Sequence, residues 1–435
     1  MKTIAIVGRP NVGKSTLFNR LAGEKHAITD DISGVTRDRI YNTCIWNGKE
    51  FNIIDTGGFV KHSSDVFETE IRDQVQIAIE ESDVVIFLVD TTTGVTDLDN
   101  EIADILRKSK KTVLLTVNKA DNFERLIEAN EFWSLGFDNT FFISAINGSG
   151  TGELLDALVG LIGAEPETND ATDGYPKFAV AGRPNVGKSS FINALIGDKR
   201  NIVTPIAGTT RDSTDSVYEK FGKKFIITDT AGIRKKSKVY ENLEFYSVLR
   251  AIRSIEDSDV VFVMLDANEG LESQDLHILD LAVKRKKGIV ILVNKWDLVE
   301  KETNTAKEFE AKIQGKLGQF SDIPILFISV LNKQRIFKAL EIALDVFDRR
   351  QQKFSTSELN EFMQEAVQKT PTPMFRGKNI KMKYVSQVPK RYPAFAFFCN
   401  YPEEVKQHYK NYLENQLRMR YDLQGVPISI YFRKN

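Results

Sequence analysis

One octapeptide occurs twice, and this repeat constrains the fold more than any other feature of the chain. Gly8-Arg9-Pro10-Asn11-Val12-Gly13-Lys14-Ser15 returns unchanged as Gly182-Arg183-Pro184-Asn185-Val186-Gly187-Lys188-Ser189. Each copy follows an apolar run with strand character, residues 3–7 and 178–181, and opens an apolar-periodic stretch that ends at Gly23 or Gly197. Strand, Gly-x4-Gly-Lys-Ser and helix is the context of a phosphate-binding P-loop. Glycines let the backbone wrap a phosphate with its N–H groups inward, and the helix N-terminus adds positive potential. Lys14 and Lys188 are placed to reach β- and γ-phosphates, and Ser15 and Ser189 to ligate Mg2+. A lone match could be a Gly-rich turn; two identical matches in one context argue strongly against that.

The duplication extends further. Asp55-Thr56-Gly57-Gly58-Phe59 recurs as Asp229-Thr230-Ala231-Gly232-Ile233, and Asn118-Lys119-Ala120-Asp121 as Asn294-Lys295-Trp296-Asp297. The offsets are 182 − 8 = 174, 229 − 55 = 174 and 294 − 118 = 176. Matching order and spacing imply two copies of one fold. Residues 84–89 and 260–265 are apolar throughout, as in strands covered on both faces. Helical stretches such as 103–107 and 276–283 alternate with these runs. The pattern predicts α/β domains with a mainly parallel sheet flanked by helices, and ligands outside the carboxyl ends of the strands.

The expected organisation is a first domain over 1–164, an acidic linker over 165–175, a second domain over 176–349 and a small C-terminal domain over 350–435. The tail reads α-β-β-α-β. A capping box at Ser355 opens a helix to about Lys369, Ile380, Met382 and Tyr384 alternate in a strand, and 394–399 form a second strand. A helix over 403–420 and a strand over 428–432 complete it. Phe395, Phe397 and Phe398 are expected in the core, with base stacking the alternative.

Hydrophobic content of 42% and charged content of 27% are ordinary for soluble globular protein. No apolar run is long enough to span a membrane, and the N-terminus lacks a signal-peptide pattern. Two distant cysteines, Cys44 and Cys399, and four scattered histidines suit a reducing cytoplasm and offer no metal cluster. The net charge of −1 hides an asymmetry: residues 351–435 carry 14 Lys and Arg against 7 Asp and Glu, so +7, leaving −8 elsewhere. The tail is the natural place for a polyanionic partner, although a solvated basic face alone would explain the charge equally well.

The Asn-Lys-x-Asp motif decides the base. A carboxylate at Asp121 or Asp297 can accept from guanine N1–H and its amino group, a donor pair adenine lacks. Asn118 and Asn294 can read the other base edge, and Lys119 and Lys295 can pack along the loop. Asp55 and Asp229 suit Mg2+ support, and the N–H groups of Gly58 and Gly232 suit the γ-phosphate. Thr36 and Thr210, each before Arg-Asp, are placed to cap Mg2+ with GTP bound.

On these residues, with Gly425-Val426-Pro427-Ile428 and 412–418 of the tail, the chain resembles the EngA/Der family of tandem bacterial GTPases over essentially its whole length. The resemblance implies two tandem P-loop GTPase domains and a KH-like C-terminal domain. It also implies GTP hydrolysis, rRNA contact and a role in maturing the large ribosomal subunit in the cytoplasm, with no DNA or membrane partner. A monomer is expected. Two departures stand out. Ser144-Ala145, the guanine-supporting pair of the first copy, becomes Ser329-Val330 in the second, where backbone N–H groups should still serve. The tail lacks the Gly-x-x-Gly by which ordinary KH domains clamp RNA. Phe59 and Ile233 stand where a water-orienting Gln would be; the resemblance implies K+ instead, held partly by Asn11 and Asn185. The rival readings are a tRNA-modification GTPase, which has a single G domain, and a nucleotide-binding scaffold with an idle copy.

Overall fold

The two octapeptides lie at matching places in two matching sheets. The computed structural model describes residues 2–23, 41–55, 72, 75–76, 78–121, 125, 129–162, 174–196, 215–220, 223–228, 244–300, 302, 304–318, 322–375 and 378–434. Thr36, Thr56, Gly57, Gly58, Phe59, Thr210, Asp229, Thr230, Ala231, Gly232 and Ile233 lie outside the described residues, as does most of the expected linker. The chain divides into two compact units, Met1–Asp170 and Ala171–Asn435.

The first unit runs β1 (Thr3–Val7), α1 (Lys14–Gly23), β2 (Tyr41–Trp46), β3 (Lys49–Asp55), β4 (Val84–Asp90), α2 (Asp97–Lys108), β5 (Thr112–Asn118), β6 (Thr140–Phe142) and α3 (Thr151–Ile162). Its sheet order is β2-β3-β1-β4-β5-β6. All neighbours are parallel except β2 against β3.

The second unit opens with β7 (Lys177–Gly182), α4 (Lys188–Ile196), β8 (Asp215–Lys220), β9 (Lys223–Thr228) and α5 (Glu244–Asp257). It continues with β10 (Val260–Asp266), α6 (Ser273–Lys284), β11 (Gly288–Asn294), α7 (Thr305–Leu317), β12 (Ile325–Phe327) and α8 (Ile336–Arg350). The order β8-β9-β7-β10-β11-β12 reproduces the first sheet strand for strand. Period-2 alternation explains why β10 is apolar throughout: Val260, Phe262 and Met264 pack in one core layer, and Val261, Val263 and Leu265 in the opposite one. Each such burial contributes roughly 1.5–3 kcal/mol, so a polar residue at any of these positions would unseat the strand that carries a motif.

The C-terminal part follows with α9 (Thr356–Lys369), a short hairpin of β13 (Met374–Phe375) and β14 (Lys378–Asn379), β15 (Met382–Gln387), β16 (Ala394–Cys399), α10 (Gln407–Arg420) and β17 (Ser429–Lys434). Ser355 and Glu358 form the expected capping box. The second helix starts four residues later than its expected 403, because Pro402–Glu404 make a separate 3-10 turn. β15 pairs antiparallel and β17 parallel with β16, and both helices pack on one face around Leu359, Phe362, Phe395, Phe397, Leu413 and Leu417.

This tail is not a free appendage. Val426 is fully buried within the core of the preceding domain, beside Leu340, Ala343 and Val346 of α8. Gly425, at φ 75°, accepts from Ile289 N at 2.8 Å. A Cβ there would press on Ile289 O and Pro324 Cδ at 2.8 Å each, so glycine is required for the plug to seat. Arg418 adds an ion pair to Asp322 at 2.5 Å, and Arg349 one to Asp422 at 2.7 Å. Among the described residues no helix is long and apolar enough to cross a membrane.

Candidate functional site

In each sheet the central strand, β1 or β7, sits where successive connections turn to opposite sides. This is the crevice position for ligands in such folds. The P-loop that follows is left-handed at Asn11 and Gly13 (φ 65° and 100°) and at Asn185 and Gly187 (φ 63° and 103°). Lys14 Nζ donates to Gly8 O and Arg9 O, both at 2.8 Å, and Lys188 Nζ to Gly182 O and Arg183 O at 2.8 and 2.7 Å. Burial pushes both ammonium groups down to about 8, against an opposing pull from Asp55 on Lys14 and from Asp275 on Lys188. The loop thus holds a lysine whose charge an arriving phosphate would stabilise. Beside it, Ser15 Oγ donates to Asp55 Oδ2 at 2.6 Å, bringing a hydroxyl and a buried carboxylate together. Ser189 takes the matching place at the start of α4.

Asn118 ties three motifs into one cage. Its Nδ2 donates to Val12 O at 2.8 Å, and its Oδ1 accepts from Ala145 N at 2.9 Å. Asn294 repeats this with Val186 O at 2.8 Å and Val330 N at 3.0 Å. A Cβ on Gly13 or Gly187 would collide with that Nδ2, so the second octapeptide glycine serves the contact between motifs as well as the loop's conformation. Val330 does what Ala145 does because the donor is backbone. The same contacts modify two expectations. The Asn oxygen and the Ser-Ala or Ser-Val N–H are engaged with each other here, leaving one Nδ2 hydrogen for a base edge. Ser144 and Ser329 are buried beneath the loop rather than presented.

Lys119 and Lys295 adopt left-handed φ of 64° and 61° and pair with Asp90 and Asp266, at the carboxyl ends of β4 and β10. Burial pushes both carboxyls up, but hydrogen bonds from the lysines and from the backbone N–H groups of Thr92 and Asn268 outweigh it and hold them below the ordinary carboxylate value. Ala120 and Trp296 are buried, Trp296 packing on Phe309 and Phe327. Asp121, exposed, pairs with Arg125 at 2.5 Å. Asp297 is half-buried and has no ion pair among the described residues.

Arg9 and Arg183, expected on the ligand as P-loop members, turn elsewhere. Arg9 Nε meets Asp99 Oδ2 at 3.3 Å, and Arg183 Nε meets Asp275 Oδ2 at 2.9 Å. Both aspartates are wholly buried and close the capping boxes that start α2 and α6. The arginines therefore tether the carbonyls that hold Lys14 and Lys188 to the helix that follows β4 or β10. Pro10 is half-buried and Pro184 exposed, and the side chains of Val12 and Val186 point into the core.

Asp90, Asp99, Asp266 and Asp275 escaped the sequence reading, although a signal existed. Both pairs recur at the offset of the third motif, 266 − 90 = 176 and 275 − 99 = 176. Arg20, which donates to Ala145 O at 2.6 Å and to Ile146 O, had no such signal, because Ala194 stands at its place in the second copy.

Two sheets of one order, each with a P-loop after the central strand and Asn-Lys-x-Asp two strands on, define a tandem P-loop nucleotide-binding protein. Comparison with known proteins makes this specific. A family described as 50S ribosome-binding GTPase matches residues 3–119 and 177–295, and one described as the KH-domain-like C-terminal part of EngA bacterial GTPase enzymes matches 353–433. The GTPase Der of Christiangramia forsetii is 57% identical over 431 residues, and that of Flavobacterium johnsoniae 55%, each alignment covering 99% of both chains. Among solved structures, Era of Aquifex aeolicus bound to GDP and AlF4− aligns over 59% of this chain and 92% of its own, at 20% identity and a TM-score of 0.31. The chain belongs to the EngA/Der family of GTPases, with two G domains and the EngA-type KH-like domain.

Proposed function

We propose that both G domains bind and hydrolyse GTP, and that nucleotide state controls contact of the second unit with rRNA during assembly of the large ribosomal subunit in the cytoplasm. The observation that carries the first half is the cage built twice, by Asn118 and by Asn294, with the same atoms at the same distances to within 0.1 Å. In this reading Lys14 and Lys188 bind the β- and γ-phosphates and stabilise the charge developing on transfer. Asp121 and Asp297 accept from guanine, with Asp121 exchanging Arg125 for the base. Thr36, Thr210 and the segments at 55–59 and 229–233 complete the phosphate end.

Ser15 and Asp55 fit a hard divalent ion, since a hydroxyl and a carboxylate oxygen already meet at 2.6 Å. Ser189 with Asp229 would serve the second site, and Thr36 and Thr210 would join in the triphosphate state. Mg2+ bound there supplies neutralisation of β–γ phosphate charge. Asn11 and Asn185 fit a monovalent ion: both side chains are exposed at the loop edge with no hydrogen-bond partner among the described residues. K+ bound there would stand in for an arginine finger. Turnover compared in K+ and Na+ at matched ionic strength tests it, and equal rates would remove K+ from the account.

The match to a family described as 50S ribosome-binding GTPase and the +7 charge of residues 351–435 support the ribosomal half. Deleting that tail is a poor test, because it strips Val426 from the core of the second G domain. Salt-dependent co-sedimentation of the whole chain with large subunits, in GTP-like and GDP-like states, tests it directly. Association that is equal in both states and insensitive to salt would refute it.

A further inference from the structure

The C-terminal sheet has a second face that its core does not use. Phe395 and Phe397 point into the core with Leu413 and Leu417, whereas Phe398 lies on the opposite side of β16. There it stacks on Tyr384 of β15, with ring centroids 4.2 Å apart and planes within 13°. Tyr384 is 37% exposed, so the stack offers a planar ring to solvent. In register beside Phe398 on β17 stands Arg433, and one step along the same face stands Tyr431. Lys390 Nζ is held near Tyr431 by hydrogen bonds to its hydroxyl at 2.9 Å and to that of Tyr392 at 3.2 Å. Arg433 is exposed and has no ion pair among the described residues, and the three strands contain no carboxylate.

We infer that this face is a docking surface for unpaired RNA, with one or more bases continuing the Tyr384–Phe398 stack and a backbone phosphate against Arg433. The inference rests on the reading of this domain as an RNA contact and supplies the surface that the missing Gly-x-x-Gly leaves unassigned. A paired duplex buries its base faces and cannot extend a stack, whereas a single strand can. An exposed aromatic stack beside an unpaired cation is the chemistry that single strands use, tolerant of sequence and sensitive to salt.

The test uses the full chain and two RNA probes of equal length, an unstructured single strand and a fully paired hairpin, titrated across a salt series. Tyr384→Ala weakens single-strand binding about tenfold and leaves hairpin binding unchanged, since a base–aromatic stack is lost. Tyr384→Phe keeps the ring and binds like the parent. Arg433→Ala lowers the slope of log K against log salt by about 0.7 for the single strand, one phosphate contact fewer. Single-strand binding by Tyr384→Ala equal to the parent's overturns the surface, while the ribosomal reading survives on the parent's binding to subunits. A parent that binds neither probe nor large subunits overturns both. If Tyr384→Ala loses large subunits yet keeps its affinity for both probes, the occupant is a protein, and the inference falls.

Discussion

The two G domains differ at their base loops and agree at their phosphate ends. In the first copy, Arg20 reaches from α1 to the carbonyls of Ala145 and Ile146, and Gly148 and Gly150 take the left-handed positions, φ 89° and 72°. In the second, Ala194 offers no tether. Both loops close on themselves five residues on, Ser144 N donating to Ser149 O at 2.9 Å and Ser329 N to Gln334 O at 3.3 Å, and in the second Gln334 N returns a bond to Ser329 O at 2.8 Å. Lys333 and Arg335 occupy the left-handed positions, φ 52° and 60°. Both loops nevertheless deliver one backbone N–H to the asparagine at 2.9 or 3.0 Å. The phosphate end is fixed by chemistry that tolerates few side chains. The base end needs only one backbone donor in place, and one loop shape delivers it with or without a tether from α1 and with or without glycine at its left-handed positions.

The largest effects should fall on the shared part. Lys14→Ala and Lys188→Ala are each expected to cut phosphate release by their own copy about 10²–10³-fold, the usual loss for one donor to a transition-state oxyanion. Single-turnover assays with the other copy already disabled read this out, and a variant with normal turnover would mark its copy as idle. Next come Asn118→Ala and Asn294→Ala. Each strands a buried carbonyl and a buried N–H at about 1–3 kcal/mol apiece. GDP affinity should fall by a similar factor in both copies, and a large inequality would break the equivalence of the cages.

The lysines also set a pH dependence. Each ammonium sits at about 8 before phosphate arrives, and a bound triphosphate favours its charged form and raises that value. Binding above pH 8 therefore takes up a proton. Affinity is flat below pH 8 and falls by up to about tenfold per unit above it, at both sites. Nucleotide titrations in buffers of different ionisation heat would detect the proton, and none taken up at pH 9 would contradict the buried-lysine geometry.

The asymmetric parts carry the smaller effects. Arg20→Ala should weaken nucleotide binding at the first site alone, by about 1 kcal/mol or fivefold, for the loss of its hydrogen bonds; an equal loss at the second site would mean that the sites are coupled. Lys333→Gly should stabilise the second unit by about 0.5 kcal/mol, since relief of left-handed strain slightly exceeds the added chain entropy. Thermal unfolding reads this out, and destabilisation would show that the lysine side chain has a use.

Most of the fold was legible because its signals are local. A strand covered on both faces must be apolar at every position, so residues 84–89 and 260–265 announced themselves. The capping box at Ser355 did the same for α9. The P-loop and Asn-Lys-x-Asp motifs were legible because phosphate and guanine demand fixed residue types. What escaped is long-range. The Arg9–Asp99 tether spans 90 residues and the Arg20 clamp 125, and neither partner is unusual alone. Val426 reads as one apolar residue among many, yet it fills the core of a domain whose last helix ends at Arg350. Phe398 follows two core phenylalanines only one and three residues before it, and the strand's alternation sends it to the other face.

The account depends most on there being two complete guanine nucleotide sites in one chain. Isothermal titration of the purified protein with GDP, repeated with ATP, measures this directly. The account predicts two equivalents of GDP per chain, one lost in Lys14→Ala and the other in Lys188→Ala, and no uptake of ATP. A stoichiometry of one, or ATP bound as well as GDP, would contradict it.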